Sequence, residues 1–319
     1  MAFLTVSSEL IHTTIVFATA LVFAMLGGLF SERSGVVNIA LEGLMTIGAF
    51  TSAVVTFFVD NALGGSQLSP WIGLISAVVV GMLFALPHAV ASVTFKADQV
   101  VSGVALNFLA VGVSIYLVKI FFDGAAQTET LKTTFNVWNI PLLSKIPFFG
   151  EAFFSAYPTS FLAFILVAAA YYLLYKTPFG LRLRSVGEHP RAADSVGINV
   201  YKMRYIAVMI SGGLAALGGA TITLTTTSNF SHSTISGQGF IALAALIFGK
   251  WRPIQGMLAA LFFGVATALK SVFQVYGITI PLEFIYIFPY ALTILVLAGF
   301  VGKTVAPAAN GQPYEKGHR

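Results

Sequence analysis

Long apolar runs alternate with short polar segments along most of the chain. Because about 20 apolar residues cross the hydrocarbon core of a bilayer, each long run predicts a transmembrane helix. A shorter run, 238–249, predicts a half-helix or a span that its flanks complete. The pattern therefore predicts an all-α polytopic membrane protein with about 8–10 transmembrane helices. The long runs are 11–30, 36–59, 71–95, 100–122, 158–175, 203–228, 254–275 and 283–301.

The composition agrees with an integral membrane protein. Of the 319 residues, 57% are hydrophobic and only 9% are charged, whereas soluble domains carry about 25% charged residues. A soluble core of this size would lack the polar surface to cover it. The sequence contains no Cys, which excludes disulfides, thiolate catalysis and Cys-based metal sites.

The distribution of Lys and Arg predicts how the chain lies in the membrane. If residues 176–204 are cytoplasmic and the nine segments alternate, thirteen of the seventeen Lys and Arg residues fall inside. Cytoplasmic loops of membrane proteins carry such an excess. The distribution predicts an N-terminus outside the cell and a C-terminus in the cytoplasm.

The same alternation makes the first four segments run opposite to the last four, with 158–175 as the link. The stretches "NIALEGL" (38–44) and "FIALAAL" (240–246) open the second member of each set. This favours two inverted-topology repeats, as many transporters have. Chance similarity between apolar helices is the alternative.

The predicted organisation is one transmembrane domain, residues 1–301, followed by a cytoplasmic polar tail, 302–319. The tail is rich in Gly and Pro and is predicted to be disordered. The external loop 123–157 either lies against the lipid headgroups, anchored by aromatic side chains, or is a loop that only covers the helices.

The cytoplasmic loop 176–204 reads "KTPFGLRLRSVGEHPRAADSVGINVYKMR" and is rich in charge. Pro190 suits the first turn of a short helix, and Gly197 can end it in the left-handed conformation. A short helix held between two spans suits the docking of a partner. A solvated connector is the alternative.

Two stretches resemble a known family. "TPFGLRLRSVGEHPRAADSVGINVYKMRYIAVMISGGLAALGGA" resembles the coupling loop and the following helix of ABC-importer permeases of the ribose and branched-chain amino acid type. "SERSGVVNIALEGLMTIGAF" resembles the simple-sugar and nucleoside uptake subgroup of these permeases. The resemblance extends over roughly residues 15 to 300.

The resemblance implies a permease subunit of an ABC importer in the bacterial plasma membrane. Its partners would be a cytoplasmic ATP-binding subunit, an external solute-binding protein or lipoprotein, and a second permease subunit, with a heterodimer favoured over a homodimer. ATP and Mg²⁺ would be used by the ATPase, without a cofactor in this chain and without nucleic acid as a partner. The residues carried over to ATPase coupling are Arg182, Arg184, Gly187, Glu188, Pro190, Arg191, Ala192, Ala193, Asp194 and Gly197.

The subgroup resemblance implies a purine or pyrimidine nucleoside as the solute. A simple sugar such as ribose and an ion-coupled secondary transporter are the alternatives. No catalytic centre or His-based metal motif is visible, so we expect a transport subunit and not an enzyme. The nearest nucleotide-binding motif, "GFVGKT" at 299–304, has Leu297 where the first Gly of a Walker A loop is required.

Polar residues inside the spans are candidates for the solute pathway, because such groups usually face the protein interior or a water-filled route. Asn38 and Glu42 are four residues apart and would share one face of a helix over 36–59. They either line the path or tie this helix to its neighbours. The other candidates for the pathway are Ser102, Asn107, Thr226, Asn229 and Gln238.

Glu32 and Arg33 fall between the spans 11–30 and 36–59. The sequence predicts a hydrated cytoplasmic turn for them, where charge carries little cost. The alternative is a helix pair broken within the membrane, in which the turn would lie deeper and line the inner gate.

Overall fold

The computed structural model of the chain describes residues 2–146, 148–275, 287, 291 and 305–316. Apart from positions 287 and 291, the predicted span 283–301 lies outside the described residues, and so does the segment 299–304.

The described chain is almost entirely helical, as predicted. Six of its helices are long and apolar enough to cross a membrane. The α-helices are α1 (Ala2–Arg33), α2 (Leu41–Leu63), α3 (Ser69–Phe84), α4 (Leu86–Ala89), α5 (Gln99–Phe121), α6 (Pro158–Lys176), α7 (Pro178–Glu188), α8 (Pro190–Ser195), α9 (Val200–Ile222), α10 (Gln238–Phe248) and α11 (Pro253–Val275). The π-helical turns are Val90–Thr94, Gly150–Phe154 and Thr223–Thr227, and the short strands are β1 (Trp138–Asn139) and β2 (Ser155–Ala156).

The short apolar run is confirmed as a short helix, because α10 has only 11 residues. It would be about 16 Å long and cannot cross a bilayer by itself. The predicted span 36–59 is wrong at its start. Residues 34–40 are not helical, and α2 begins at Leu41.

The first three helices of the two predicted sets run in opposite directions, as expected. α1 is antiparallel to α9, α2 to α10, and α3 to α11, whereas the fourth pair lies partly outside the described residues. The contacts that set these directions are Gly27 with Ser211 and Gly218 with Ala20 (α1, α9), Thr223 with Ala49 and Gly219 with Met45 (α9, α2), Gly28 with Leu246 and Arg33 with Trp251 (α1, α10), Gly81 with Ala216 and Gly212 with Ala85 (α3, α9), and Gly256 with Met25 and Gly264 with Ala18 (α11, α1). They support an inverted repeat.

The core lies where α1, α2 and α9 cross, and small residues let their backbones touch. Gly48 of α2 faces the backbone of Ala216, and Gly219 of α9 faces the carbonyl of Met45. A Cβ atom at either glycine would overlap backbone atoms of the other helix. Such close crossings are typical of membrane helices, where van der Waals packing holds helices together.

The first part of the loop 123–157 covers the segment that follows α9. The backbone N–H groups of Thr128, Leu131 and Phe135 donate to carbonyls of the segment that follows α9, and all three side chains are buried. Trp138 and Phe149 lie further along the loop and are more than half exposed, as an interfacial role would require.

The predicted disorder of the tail is wrong for residues 305–316, which we call the C-terminal strap. The strap packs on the end of the bundle that carries Arg33, Arg204 and Arg252, called the Arg-rich end below. Tyr314 is buried there against Tyr201, with ring centroids 5.6 Å apart. A polar composition alone indicated disorder, but the strap finds backbone and side-chain partners on three helices.

Candidate functional site

The non-helical residues 34–40 break the chain between α1 and α2 in the interior of the protein. In a membrane interior, backbone N–H and C=O groups need protein partners, because water is absent. Buried polar side chains of α4 and α5 supply them here. Val37 donates its N–H to Gln99 Oε1 (2.7 Å), and its carbonyl accepts from His88 Nε2 (3.0 Å). Ser102 lies 2.7 Å from the other ring nitrogen of His88.

Asn107 of α5 continues this support. Its Nδ2 donates to the carbonyl of Ile39 (3.1 Å), and its Oδ1 accepts from the N–H of Gly43 (2.7 Å). Ser102 and Asn107 were both candidates for the solute pathway. The structure places Asn107 against the backbone that joins α1 to α2, whereas Ser102 contacts His88, which binds that backbone.

Asn38 lies inside the break and not on α2. Its Oδ1 accepts from the N–H of Ala40 (3.0 Å), and its Nδ2 donates to Ser211 Oγ on α9 (2.8 Å). The expected shared helix face with Glu42 is therefore wrong. The fully buried Asn38 ties the break to α9.

Glu42 joins the first turn of α2 to the first turn of α10. Its two carboxylate oxygens accept from the backbone N–H groups of Gly237 (2.6 Å) and Gly239 (2.7 Å). No side chain of α10 caps its own N-terminus, and Gly237 has a φ of +88°. Glu42 therefore caps α10 from a neighbouring helix and places negative charge at the positive end of its dipole.

These contacts support the tying role for Asn38 and Glu42 that the sequence left as one of two alternatives. Their role in the pathway stays a prediction. The structure brings Gln238 close to Glu42, since Gln238 lies between the two glycines that Glu42 binds. Thr226 is exposed, and the carbonyl of Asn229 accepts from Thr227 within the same segment (2.8 Å).

The loop 176–204 contains two helices, of which the sequence predicted one. α8 begins at Pro190 as predicted, and Gly197 follows with a φ of +86°. The prediction missed α7. Its signals are Thr177, whose Oγ1 accepts from the N–H of Gly180 (3.3 Å), and Pro178 at the first helical position.

The structure divides the proposed coupling residues into two groups. Arg182, Arg191 and Ala192 are exposed and can reach a partner. Ala193 is buried within this chain, so of these two alanines only Ala192 can reach a partner. Gly187 also points inward, because a Cβ atom there would overlap the carbonyl of Arg33.

Two charged side chains of the same loop are also engaged within the chain. Glu188 Oε1 lies 3.8 Å from Arg33 Nη1, and Glu188 Oε2 accepts from the N–H of Ala308 (3.1 Å). The guanidinium of Arg184 lies over the ring of Tyr175, 4.9 Å from its centroid. These contacts join α7 to α1, to α6 and to the strap.

Cavities flank α8 on both sides. One of about 680 Å³ separates α8 from the strap, and one of about 690 Å³ lies between α7 and the turn after α8. Val196 and Leu181, both at the rim of the second cavity, are 75% and 63% exposed. Both are large apolar side chains on an otherwise charged loop.

The strap closes over a buried carboxylate. Glu32 is only 6% exposed, so the prediction of a hydrated turn is wrong for it. Its Oε2 accepts from Trp251 Nε1 (2.6 Å) and from Asn310 Nδ2 (3.1 Å). Arg33 donates from Nε (2.9 Å) and Nη2 (2.6 Å) to the carbonyl of Trp251, which fixes the end of α10 to the end of α1.

Arg204 anchors the strap from α9. Its Nη1 donates to the carbonyl of Gln312 (3.0 Å), and its Nε lies 3.3 Å from the carbonyl of Ser34. At the exposed edge, Lys96 Nζ donates to Glu315 Oε1 (2.7 Å), which raises the pKa of Lys96 and lowers the pKa of Glu315. This exposed pair adds little and loses its contribution as the pH falls through the lowered pKa of Glu315.

Replacing Asn310 with Ala is expected to loosen the strap. Glu32 would lose one of its two side-chain donors, at a cost of about 1–3 kcal/mol for a buried carboxylate. Hydrogen exchange of residues 305–316 should then become several-fold faster. Gln312→Ala is the matched control, because Gln312 uses its backbone carbonyl to bind Arg204. Equal exchange in both variants would show that the Glu32 contact does not hold the strap.

Among the described residues, no group of three His, Asp or Glu side chains lies close enough together to hold a metal ion. The candidate functional site has two parts. One is the junction of α2 and α10 around Glu42, and the other is the α7–α8 surface with the strap.

The sequence was compared with known proteins to identify this architecture. Residues 10–297 match the family model described as the permease component of the branched-chain amino acid transport system. The chain belongs to this permease family. It is a multi-pass membrane component of an ABC transporter in the bacterial plasma membrane.

The permease is similar to several characterised relatives. It is 53% identical to the guanosine ABC transporter permease protein NupQ of Bacillus subtilis, with 98% of each chain covered. It is 46% identical to the nucleoside ABC transporter permease protein NupC of Lactococcus lactis, with 96% of each chain covered. A second guanosine permease protein of Bacillus subtilis, NupP, is 24% identical over 74% of this chain and 66% of its own.

Proposed function

We propose that this permease imports nucleosides, with purine nucleosides such as guanosine as its main solutes. The observation that carries the proposal is the 53% identity to a guanosine permease over 98% of both chains. The 46% identity to a second nucleoside permease supports the same solute class. A solute-binding protein outside the cell would deliver the nucleoside, and a separate ATPase would use ATP and Mg²⁺.

In this proposal the Arg-rich end lies in the cytoplasm, and α8 docks in the ATPase subunit. The exposed Ala192 and Arg191 would enter a cleft of the ATPase, and parts of the ATPase would fill the cavities on either side of α8. Val196 and Leu181 would be covered by the partner. The apolar area they expose on a charged loop supports this role.

A continuous set of contacts connects this surface to the interior of the permease. Gly187 packs on Arg33, Arg33 binds the carbonyl of Trp251 at the end of α10, and Glu42 holds the start of α10. We propose that ATPase closure moves α7 and α8, and that this chain of contacts passes the movement to the junction of α2 and α10. The proposed route rests on the contacts between these residues, and the variants Val196→Asp and Glu42→Gln test its two ends.

We further propose that the permease pairs with a second, different permease subunit. Bacillus subtilis has two guanosine permease proteins, NupQ and NupP, and this chain is far more similar to NupQ. A homodimer is the alternative. Mass measurement of the purified complex distinguishes the two assemblies.

The function is tested with the complete complex in proteoliposomes. We expect ATP-dependent uptake of radiolabelled guanosine in the presence of the binding protein, and little uptake of ribose. Uptake of ribose in preference to guanosine would contradict the solute class. Guanosine uptake that persists with an inactive ATPase would instead support ion-coupled transport.

Val196→Asp is expected to weaken the association with the ATPase subunit. The change places a charge at the rim of the proposed interface, where an apolar side chain would be buried. We expect the amount of ATPase that co-purifies with the permease to fall about tenfold, which corresponds to about 1.4 kcal/mol. Val137→Asp is the control, because Val137 is also exposed but lies in the external loop. Unchanged co-purification of Val196→Asp would place the interface elsewhere.

A further inference from the structure

A cavity of about 580 Å³ opens at the Arg-rich end, away from the two cavities that flank α8. The ends of α1 and α6, the middle of α7 and the start of α11 form its walls. Four cationic side chains line it: Arg33, Lys176, Arg184 and Arg252. The described residues that line this cavity include no Asp or Glu.

The positive charge in this cavity is only partly balanced. Arg33 is engaged with the carbonyl of Trp251, and its Nη1 lies 3.8 Å from the carboxylate of Glu188. Arg184 and Arg252 are close enough to Arg33 for their charges to act on it. Gathering like charges is unfavourable unless an anion joins them.

The position of the Arg184 side chain favours binding of such an anion. Its guanidinium is fixed over the ring of Tyr175, and its Nε is buried without a hydrogen-bond partner among the described residues. The side chains of Tyr171 and Tyr175 also line the cavity. A phosphate group accepts several hydrogen bonds from guanidinium and hydroxyl donors.

The surroundings of the cavity favour a lipid over a free ion. α6 is a membrane span that ends at Lys176, so the cavity lies at the level where headgroups begin. Tyr172, Ile254 and Leu258 on the adjoining faces of α6 and α11 are 61%, 46% and 58% exposed. Further along the same two helices, a narrow apolar crevice is lined by Phe164 and Met257. An acyl chain can follow this groove from a headgroup held in the cavity.

We infer that this cavity is a binding site for the headgroup of an anionic phospholipid, with a phosphodiester between Arg184 and Arg252 and its acyl chains along α6 and α11. Basic pockets between membrane helices bind anionic headgroups in this way. Because the same cavity joins α1, α6, α7 and α11, a bound lipid would brace the loop that carries α8.

The experiment uses the intact purified complex, titrated with phosphatidylglycerol and followed by native mass spectrometry. We expect one phosphatidylglycerol per permease chain to bind more tightly than phosphatidylcholine. Removing one basic residue should weaken binding about fivefold, and the double variant Arg184→Gln/Arg252→Gln about 25-fold. Lys202→Gln, which removes an exposed cation at the second cavity beside α8, should bind as the unmodified complex does.

Two further arms identify the source of the anion. Inorganic phosphate at millimolar concentration should not displace phosphatidylglycerol, and displacement would show a free-anion site and overturn the lipid assignment. The complex should retain its lipid with the ATPase subunit bound. If the lipid binds only in the absence of the ATPase, the cavity is a protein docking surface and the inference is wrong. Equal lipid affinity of the double variant and Lys202→Gln would also overturn it, provided that both complexes have the same thermal stability.

Discussion

Replacing Glu42 with Gln is expected to disconnect α2 from α10 and to reduce nucleoside uptake by about thirtyfold. Glu42 accepts two backbone N–H groups at the start of α10. A Gln side chain has one acceptor oxygen, so one N–H would face an amide NH₂ group. An unsatisfied buried donor costs about 1–3 kcal/mol. A cost of about 2 kcal/mol would lower the population with an intact junction about thirtyfold.

The Glu42 prediction is checked by ATP-dependent uptake in proteoliposomes, together with hydrogen exchange of the first turn of α10. Both readouts should change, because the carboxylate acts through the helix that it caps. Glu129→Gln is the control, since Glu129 lies exposed in the loop 123–157. Reduced uptake with unchanged exchange at Gly237 and Gly239 would assign Glu42 to direct solute contact instead.

Replacing Gly48 with Ala is expected to prevent the close crossing of α2 and α9. The added Cβ would overlap the backbone of Ala216, and backbone atoms on two packed helices cannot move aside as a flexible side chain can. Overpacking of this kind costs about 1–3 kcal/mol or more. We expect lower yield of folded permease and a lower free energy of unfolding, measured by denaturant titration in detergent.

Gly112→Ala provides the matched control for the Gly48 prediction. Gly112 also lies inside a membrane helix, α5, but a Cβ there would contact nothing within 4 Å. Alanine is favoured over glycine in a helix by about 1 kcal/mol, so this variant should be at least as stable as the unmodified permease. If Gly48→Ala is equally well tolerated, the crossing of α2 and α9 is not as close as the structure shows.

The two largest predicted effects lie on the same unit. Gly48 sets how closely α2 approaches α9, and Glu42 sets where α10 starts relative to α2. Both helices begin inside the bundle, with their N-termini facing each other across one carboxylate. This arrangement is what an inverted repeat produces when its second helices meet near the symmetry axis. It places the positive ends of two helix dipoles together and explains why a carboxylate lies between them.

Most of the helix positions could be predicted from the sequence because each depends on local properties. A run of about 20 apolar residues is sufficient to mark a span. The runs that predicted α3, α5, α6 and α9 have bounds close to those of the observed spans. α8 was predictable for the same reason. Pro190 and Gly197 act on the backbone at their own positions, whatever surrounds them.

The roles of the polar residues inside the membrane were less predictable. Asn38, Ser102 and Asn107 were recognised as polar groups inside the spans, but a one-dimensional pattern does not show which atoms they bind. The sequence left the break at 34–40 as an alternative, because residues 36–40 are apolar enough to continue a helix. Its partners, Gln99, His88 and Asn107, lie 51 to 68 positions away along the chain.

The sequence by itself determined that this protein is a helical membrane protein, the number of residues available to each span, and the short helix of its polar loop. These follow from hydropathy and from the backbone preferences of single residues. Only the tertiary structure decided that Glu42 caps α10, that Glu32 is buried beneath the strap, and that Ala193 and Gly187 face inward. Each of these depends on contacts between segments distant in the chain, and such contacts leave no mark on the local pattern.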